Sequence, residues 1–201
     1  MTRPLRTTPP NFIYHVITRG NNKQQIFINE IDYQYYLQLL IKYKNRYKFL
    51  LYHYVLMPNH VHLMIEPTDE GSLSKIMQCI NISYVYYFRK KYGGIGHFWQ
   101  DRFKSMMLYN EQYFLKCESY IELNPVKAGL AKQPEDYRWS SYKTYASGEL
   151  NQAVTYDRLY LDLADDSFTR RKKYITFIQN MMKEDLNKIK EELYVNREPT
   201  P

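Results

Sequence analysis

Cysteine, glycine and long apolar runs are all scarce in this chain, and each scarcity removes a class of protein from consideration. The 201 residues include 2 cysteines and 7 glycines. Because Cys79 and Cys117 form no CxxC pair, neither a redox motif nor a cysteine-based zinc site is indicated. The chain also lacks the glycine-rich loop that binds nucleotide phosphates.

Membrane-targeting segments are missing as well. No run approaches the ~18 consecutive apolar residues of a membrane-spanning helix. Residues 1–11 are polar and proline-rich, unlike the apolar centre of a signal sequence. We therefore expect a cytoplasmic protein with reduced thiols and no membrane partner.

Basic charge and aromatic side chains dominate the composition instead. Lys and Arg number 28 against 21 Asp and Glu, giving a net charge of +7, and 22 tyrosines and 9 phenylalanines interleave with the cations. Cations contact phosphates and rings stack on unpaired bases, so this mixture favours a nucleic-acid partner over an ordinary protein of modestly basic pI. The candidates for phosphate contacts are Arg19, Lys23, Arg89, Lys90, Lys91, Arg102 and Lys104.

Hydrophobic periodicity predicts alternating strands and helices along most of the chain. Strands are predicted at 12–18, 49–57 and 60–66, short strand signals at 97–109, and helices at 32–47, 72–92 and 111–123. Pro125 is expected to end the last of these helices. Alternation of this kind around a hairpin predicts an α+β fold with a ferredoxin-like antiparallel sheet and helices packed on it.

The composition changes near residue 149. We predict one domain over 1–148 and a charged C-terminal helical extension over 149–201, with a long helix at 168–194. Two interpretations of that extension stay open: a solvated amphipathic helix on the domain, or an arm that grips DNA.

The triplet His60-Val61-His62 is the most informative motif. On a strand, His60 and His62 project from one face, with roots about 6–7 Å apart, while Val61 projects from the other. Two neutral imidazoles so placed can bind one divalent metal. A histidine on a half-buried strand is more often only hydrogen-bonded there, and His15, His53 and His97 show no ligand spacing of their own.

The predicted helix at 111–123 offers a third ligand and a nucleophile. Tyr120 and Asn124 lie one helical turn apart, so an amide oxygen of Asn124 would complete a ligand set suited to Mg²⁺ or Mn²⁺. The phenol of Tyr120 would then lie near a phosphate held by the metal. However, an ordinary core stripe at helical spacing is also formed by Tyr113, Cys117, Tyr120 and Ile121. The residues alone do not select Tyr120.

Motifs in fixed order resolve that choice. The segments MPNHVHLMI at 57–65 and YIELNPVKAGL at 120–130 resemble the Y1 tyrosine transposases with an HUH motif, where U is hydrophobic. The greatest similarity is to the REP-associated branch of the IS200-like family. Supporting matches are YHVITRGN at 14–21, FWQDRFKS at 98–105 and YRWSSY at 137–142. The resemblance covers residues 10–146 and marks 1–148 as the HUH domain.

The resemblance implies an HUH endonuclease fold and cleavage and rejoining of single-stranded DNA. Tyr120 would be the nucleophile, forming a 5′-phosphotyrosine intermediate, with His60 and His62 as metal ligands and Asn124 as the third. Insertion-sequence relatives commonly carry glutamine at the position of Asn124. The implied substrate is single-stranded or hairpin DNA from repeat sequences, and the implied location is the nucleoid.

Two alternatives stay open. The first is a non-catalytic, domesticated binder of structured DNA. The second is a replication initiator or relaxase with the same HUH core, although initiators place a lysine where this chain has Leu123. Insertion-sequence relatives act as homodimers and the REP-associated branch tends to be monomeric, so a monomer is favoured.

Overall fold

The computed structural model describes residues 8–183 and contains four strands and six α-helices within them. The strands predicted at 12–18, 49–57 and 60–66 and the long helices are confirmed to within a couple of residues, apart from the ends of two helices discussed below. The strand signals at 97–109 correspond to one strand, at 104–107. The strands are β1 (Tyr14–Arg19), β2 (Leu50–Met57), β3 (His60–Glu66) and β4 (Lys104–Met107). The helices are α1 (Glu30–Tyr47), α2 (Leu73–Tyr92), α3 (Glu111–Lys127), α4 (Tyr142–Ser147), α5 (Arg158–Leu161) and α6 (Ser167–Met181).

The four strands form one antiparallel sheet in the order β2-β3-β1-β4. With α1 between β1 and β2, and α2 between β3 and β4, this order is the ferredoxin-like topology. The predicted fold class is therefore confirmed. Over residues 8–183, none of the helices combines the length and apolar character that crossing a bilayer demands.

Alternation along β3 assigns the two faces of the sheet. Val61, Leu63 and Ile65 pack into the core formed with α1 and α2. Met64 packs into a second core with residues of α3. His62 projects from the same face as Met64 because strand side chains alternate. Helices α1 and α2 therefore pack on one face of the sheet, and α3 packs on the other face.

Strand β2 contains a β-bulge that changes this alternation. Leu51 pairs with Ile65 and His53 pairs with Met64, so Tyr52 is an extra residue in the ladder. As a consequence, two consecutive side chains, Tyr52 and His53, both face α3. The bulge brings an ionisable ring under the helix that carries Tyr120.

The expectation that Pro125 ends helix α3 is wrong. The helix runs to Lys127 with Pro125 inside its last turn. Proline lacks an N–H and so forfeits the bond to the carbonyl of Ile121, but near a helix end that loss is small. The helix continues beyond it, because the N–H of Ala128 donates to the carbonyl of Asn124 over 3.0 Å. Asn124 is therefore inside the helix, one turn after Tyr120.

The C-terminal segment packs on the domain through α6. Tyr174 and Ile178 are buried in a cluster with Leu123 and Tyr145. Of the helix predicted at 168–194, the structure contains α6, which ends at Met181, and residues 184–194 lie outside the described part of the chain. The short helices α4 and α5 carry too few residues for a periodicity signal.

Candidate active site

Hydrogen bonds to the two histidines of β3 define which ring nitrogens face the candidate site. His60 Nδ1 lies 2.6 Å from Asn59 Oδ1, an atom that only accepts, so His60 Nδ1 carries the proton. His62 Nδ1 lies 2.9 Å from His15 Nε2. The rings of His60 and His62 are 4.9 Å apart and nearly perpendicular. Each would bind a metal through Nε2, with Nδ1 fixed by a neighbour, as metal-binding histidines generally are.

His15 is a member of the site that the sequence did not reveal. It is buried on β1, and its ring stacks on His62 at 5.1 Å. Burial lowers the pKa of His15 to about 3, so its ring is neutral and its Nε2 can accept a hydrogen bond from His62 Nδ1. Only the pairing of strands identifies His15 as part of the site. The antiparallel pair β1 and β3 places His15 opposite Met64, on the same face as His62.

Helix α3 brings Tyr120 and Asn124 to these histidines. The Tyr120 ring lies edge-on to His62 at 5.5 Å and to His15 at 6.0 Å. Asn124 Nδ2 lies 3.5 Å from His62 Nε2, the nitrogen opposite the one held by His15. Four residues predicted from two distant motifs, His60, His62, Tyr120 and Asn124, thus meet at one place on the sheet.

Tyr120 is both a core residue and a neighbour of the histidines. It packs with Cys117 and Ile121, as the core-stripe interpretation predicted, and also with Phe114, and 7% of its surface is exposed. Burial raises the pKa of its phenol, while a hydrogen bond with Asn124 and the positive charge of Arg19 lower it. The surroundings therefore contain groups that stabilise a phenolate within an otherwise desolvating site.

These donor atoms fit a divalent cation that takes three ligands from the protein. Within residues 8–183, no group of three or more His, Cys, Asp or Glu side chains has metal-binding spacing. A cation here would be held by the Nε2 atoms of His60 and His62 and by the Asn124 amide oxygen, with oxygens of substrate or water completing the shell. A rotated amide at Asn124 presents that oxygen where Nδ2 now faces His62.

An ionic cluster lies beneath the same helix. His53 Nδ1 is 2.9 Å from Glu122 Oε1, and His53 Nε2 is 3.4 Å from Asp157 Oδ2 and 3.8 Å from Glu118 Oε1. Burial alone would lower the pKa of His53, but these carboxyl groups outweigh it and raise that pKa to about 10. Burial raises the pKa of Glu118 to about 8, against the attraction of His53. The cluster anchors α3 from the side opposite solvent.

The predicted DNA-contact residues are distributed over more than one surface. Arg19 pairs with His60 across β1 and β3, and Lys104 pairs with Ile17 across β1 and β4, so both share the face of the histidines. Lys91 forms an ion pair with Asp32 at 2.8 Å. Of the other predicted contacts, Lys23 lies in the turn after β1, where its carbonyl accepts from Asn59 Nδ2 over 3.3 Å. Lys90 lies on α2, and Arg89 and Arg102 line a groove between α2 and the segment before β4.

The ferredoxin-like sheet with a His-hydrophobic-His triplet facing a helical tyrosine defines the tyrosine HUH endonuclease class. Residues 9–124 match the family described as Transposase IS200 like. The chain belongs to this family, because the matched segment covers more than half of its length. HUH transposases are generally metal-dependent, in keeping with the donor set above.

Two relatives agree with this assignment. The REP-associated tyrosine transposase of Escherichia coli strain K12 is 25% identical over 130 residues, which span 64% of this chain and 74% of that protein. A solved structure of a REP-associated tyrosine transposase bound to a REP hairpin has a TM-score of 0.63 and 22% identity. That similarity covers 78% of this chain and 93% of the other, and it shows a shared fold.

Proposed function

We propose that this protein cleaves and rejoins single-stranded DNA through a covalent bond to Tyr120. The observation that carries the proposal is the meeting of Tyr120, His62 and Asn124, with ring centroids of Tyr120 and His62 5.5 Å apart. A nucleophile beside two metal-binding imidazoles is the arrangement needed for phosphoryl transfer to a protein side chain.

In the proposed step, Tyr120 Oη attacks a backbone phosphorus and the P–O3′ bond breaks. The products are a 5′-phosphotyrosine link and a free 3′-hydroxyl, and the phenol proton ends on that hydroxyl. A 3′-hydroxyl of a second strand reverses the step, releasing Tyr120 and rejoining the DNA. Each direction exchanges one phosphodiester for another, so no nucleotide cofactor is consumed.

Activation of the phenol is the main energetic demand. A phenol with a pKa near 10 is ionised in about one molecule per thousand at pH 7, which adds roughly 4 kcal/mol to the barrier. Burial of Tyr120 increases this cost, and Arg19 and Asn124 reduce it. A divalent cation bound by His60, His62 and Asn124 would supply neutralisation of charge on the phosphate, worth several kcal/mol.

The proposed substrate is a repeat sequence that forms a hairpin. The relative of known structure was solved with a REP hairpin, and both relatives are REP-associated tyrosine transposases. The net charge of +7 suits a polyanionic partner. We propose that the protein acts as a monomer on such DNA in the nucleoid, with Mg²⁺ or Mn²⁺.

The test is formation of a covalent adduct. Purified protein is incubated with Mn²⁺ and a hairpin oligonucleotide that carries a single-stranded tail, and adducts are resolved on a denaturing gel. Tyr120→Phe should abolish the adduct, whereas Tyr113→Phe, on the same helix, should keep it. Cleavage that persists in Tyr120→Phe would refute the nucleophile assignment. Salt-sensitive hairpin binding without any adduct would instead identify a non-catalytic binder of structured DNA.

A further inference from the structure

The motif YRWSSY at 137–142 has no part in the proposed cleavage step. Strand β2 is at one edge of the sheet, and this segment lies along that edge. The N–H of Leu56 donates to the carbonyl of Trp139 over 2.9 Å, and the N–H of Ser141 donates to the carbonyl of Tyr54 over 3.0 Å. Backbone hydrogen bonds therefore hold the segment to the sheet, as they would hold an additional short strand.

The segment 137–142 is in register with a histidine of the candidate site. Ser140 forms a bridge with Val55 of β2, and Val55 pairs with His62 on the opposite side of that strand. The hydroxyl of Tyr137 donates to the carbonyl of Leu56 over 2.7 Å, one residue further along β2. The segment thus has a fixed position relative to the strand that carries His62.

Ser141 extends this connection to α3. A serine at the start of a helix normally caps it, but the Ser141 hydroxyl makes no capping bond to α4. It accepts from the N–H of Tyr54 over 2.9 Å and donates to Glu122 Oε1 over 2.5 Å. The Tyr54 carbonyl is 3.2 Å from the same hydroxyl but is already bonded by the Ser141 N–H. The single hydroxyl proton is therefore left for the shorter contact, with Glu122.

Glu122 is placed to control how α3 is rotated about its own axis. It lies two residues after Tyr120 and two before Asn124, which is about 200° around the helix from either. Its Oε1 atom also lies 2.9 Å from His53 Nδ1, so donors from β2 and from Ser141 meet at one carboxyl oxygen. The carboxyl group can meet both donors at only one rotation of α3. At that rotation the opposite side of the helix faces the histidines of β3.

Burial distinguishes a positioning role from contact with DNA. Ser141 and Glu122 are both fully buried, so neither can touch a substrate. Desolvation offsets most of the attraction between buried charges, so the pair of Glu122 with His53 adds little net stability over an apolar pair of the same volume. What these contacts add is direction, because an apolar contact would leave α3 free to rotate.

We infer that the segment 137–142 is a positioning element for the reaction, with Ser141 and Glu122 as positioning residues. It sets the rotation of α3, and so the direction from which Tyr120 Oη and the Asn124 amide approach the histidines of β3. This inference rests on the proposed function for the role of Tyr120 in attack. A displacement of about 1 Å can cost about 100-fold in rate, so a small rotation of α3 is sufficient to slow the attack.

The first test compares two neighbouring serines. Ser141→Ala removes the donor to Glu122, whereas Ser140→Ala removes a buried hydroxyl whose hydrogen bonds stay within the segment. In single-turnover reactions with Mn²⁺ and saturating tailed hairpin, Ser141→Ala should form the Tyr120 adduct about 10- to 100-fold more slowly, with unchanged hairpin affinity. Ser140→Ala should react at the wild-type rate. A wild-type rate in Ser141→Ala, or an equal loss in Ser140→Ala, would overturn the inference.

Two further variants separate positioning from a general loss of stability. Ser141→Thr keeps the hydroxyl and should recover most of the rate that Ser141→Ala loses. Glu122→Asp keeps the carboxylate but withdraws it by one methylene, so it should slow adduct formation while circular dichroism shows a folded protein at the assay temperature. Ser141→Thr as slow as Ser141→Ala, or Glu122→Asp at the wild-type rate, would also overturn the inference.

Mn²⁺ affinity provides a measurement that does not depend on cleavage. Asn124 lies on the same side of α3 as Tyr120, so Ser141→Ala should weaken Mn²⁺ binding in isothermal titration by about tenfold, and Ser140→Ala should not. Equal Mn²⁺ affinities in the two variants would reject the positioning role. A wild-type protein that forms no adduct would instead reject the proposed function, and the Mn²⁺ comparison would still decide whether Ser141 positions α3.

Discussion

The hydrogen bond between His15 and His62 leaves Nε2 of His62 to face Asn124. The Asn124 amide nitrogen only donates, so the lone pair of His62 lies on Nε2, and His62 Nδ1 donates to His15 Nε2. A single buried ring on β1 therefore orients a candidate metal ligand on β3.

We predict that His15→Phe weakens Mn²⁺ binding by 10- to 100-fold, the usual cost of losing a partner behind a ligand. Isothermal titration of the protein with Mn²⁺ measures this without reference to activity. His15→Gln retains an accepting oxygen and should restore part of the affinity. Wild-type Mn²⁺ affinity in His15→Phe would contradict the assigned role.

Buried tyrosine hydroxyls offer a second residue-scale test. Tyr160 donates to the carbonyl of Tyr145 over 2.8 Å, whereas the Tyr174 hydroxyl has no partner within residues 8–183. Tyr160→Phe should lower the free energy of unfolding by about 1 kcal/mol, because a buried carbonyl loses its donor. Tyr174→Phe should be neutral or stabilising in the same urea titration. The reverse ranking would show that the Tyr174 hydroxyl is satisfied in solution.

At the scale of the element, α3 is held from two sides. One side presents Tyr120 and Asn124 to the histidines, and the other presents Glu118 and Glu122 to His53. Because the two pairs share one rigid helix, the position of Tyr120 depends on the buried cluster beneath it.

This cluster predicts that stability falls as the pH rises from 7 to 9.5. The pKa of His53 is raised from 6.5 to about 10, so its contribution is complete below pH 6.5 and is lost toward pH 10. The pKa of Glu118 is raised from 4.5 to about 8, so its contribution is also lost as pH rises, by about pH 8. Both groups act in the same direction, and melting temperatures across this range measure the effect.

His53→Gln is the matched variant. It should lower the free energy of unfolding at pH 7 by about 3–5 kcal/mol, because buried carboxylates lose their cation. It should also make the melting temperature less sensitive to pH between 7 and 9.5. A variant with the full pH dependence of the wild type would show that other groups cause it.

Periodicity explains how much of the site was predictable from sequence. The two-residue period of a strand placed His60 and His62 on one face, and the helical period placed Asn124 beside Tyr120. The place of His15 in the site depends on the order of the strands in the sheet, and the direction of the His53 side chain depends on the bulge in β2. Neither feature can be deduced from a short stretch of sequence. The prediction that Pro125 ends α3 is wrong, because a proline in the last turn of a helix removes one hydrogen bond without stopping the helix. The sequence around Pro125 does not show how close the helix end lies.

For the whole molecule, the C-terminal helices extend the core that α3 forms on the sheet. Ile178 of α6 is fully buried with Leu123, the residue before Asn124. Thr155 donates its N–H to the carbonyl of Leu51, and Leu56 donates to the carbonyl of Trp139, so the edge of β2 is covered. The packed α6 agrees with the interpretation of a helix on the domain, whereas the boundary at 148 stays a prediction.

We predict that Ile178→Ala lowers the free energy of unfolding by about 2–5 kcal/mol, the cost of a cavity at a buried aliphatic position. Phe168→Ala in the same helix should change it by less than about 0.5 kcal/mol, since Phe168 is 76% exposed. Urea denaturation followed by circular dichroism measures both. Similar values for the two variants would show that α6 packs loosely in solution.

The extra residue in β2 has a consequence for how this chain tolerates change. Removing Tyr52 would restore an uninterrupted ladder in which Leu51 still pairs with Ile65 and His53 still pairs with Met64, so the other side chains of the strand would keep their layers. The strand would lose only the ring that packs against α3 and the hydroxyl that donates to Glu66 Oε2 over 2.5 Å. A deletion there should therefore damage the fold little more than replacement of the ring by a small side chain.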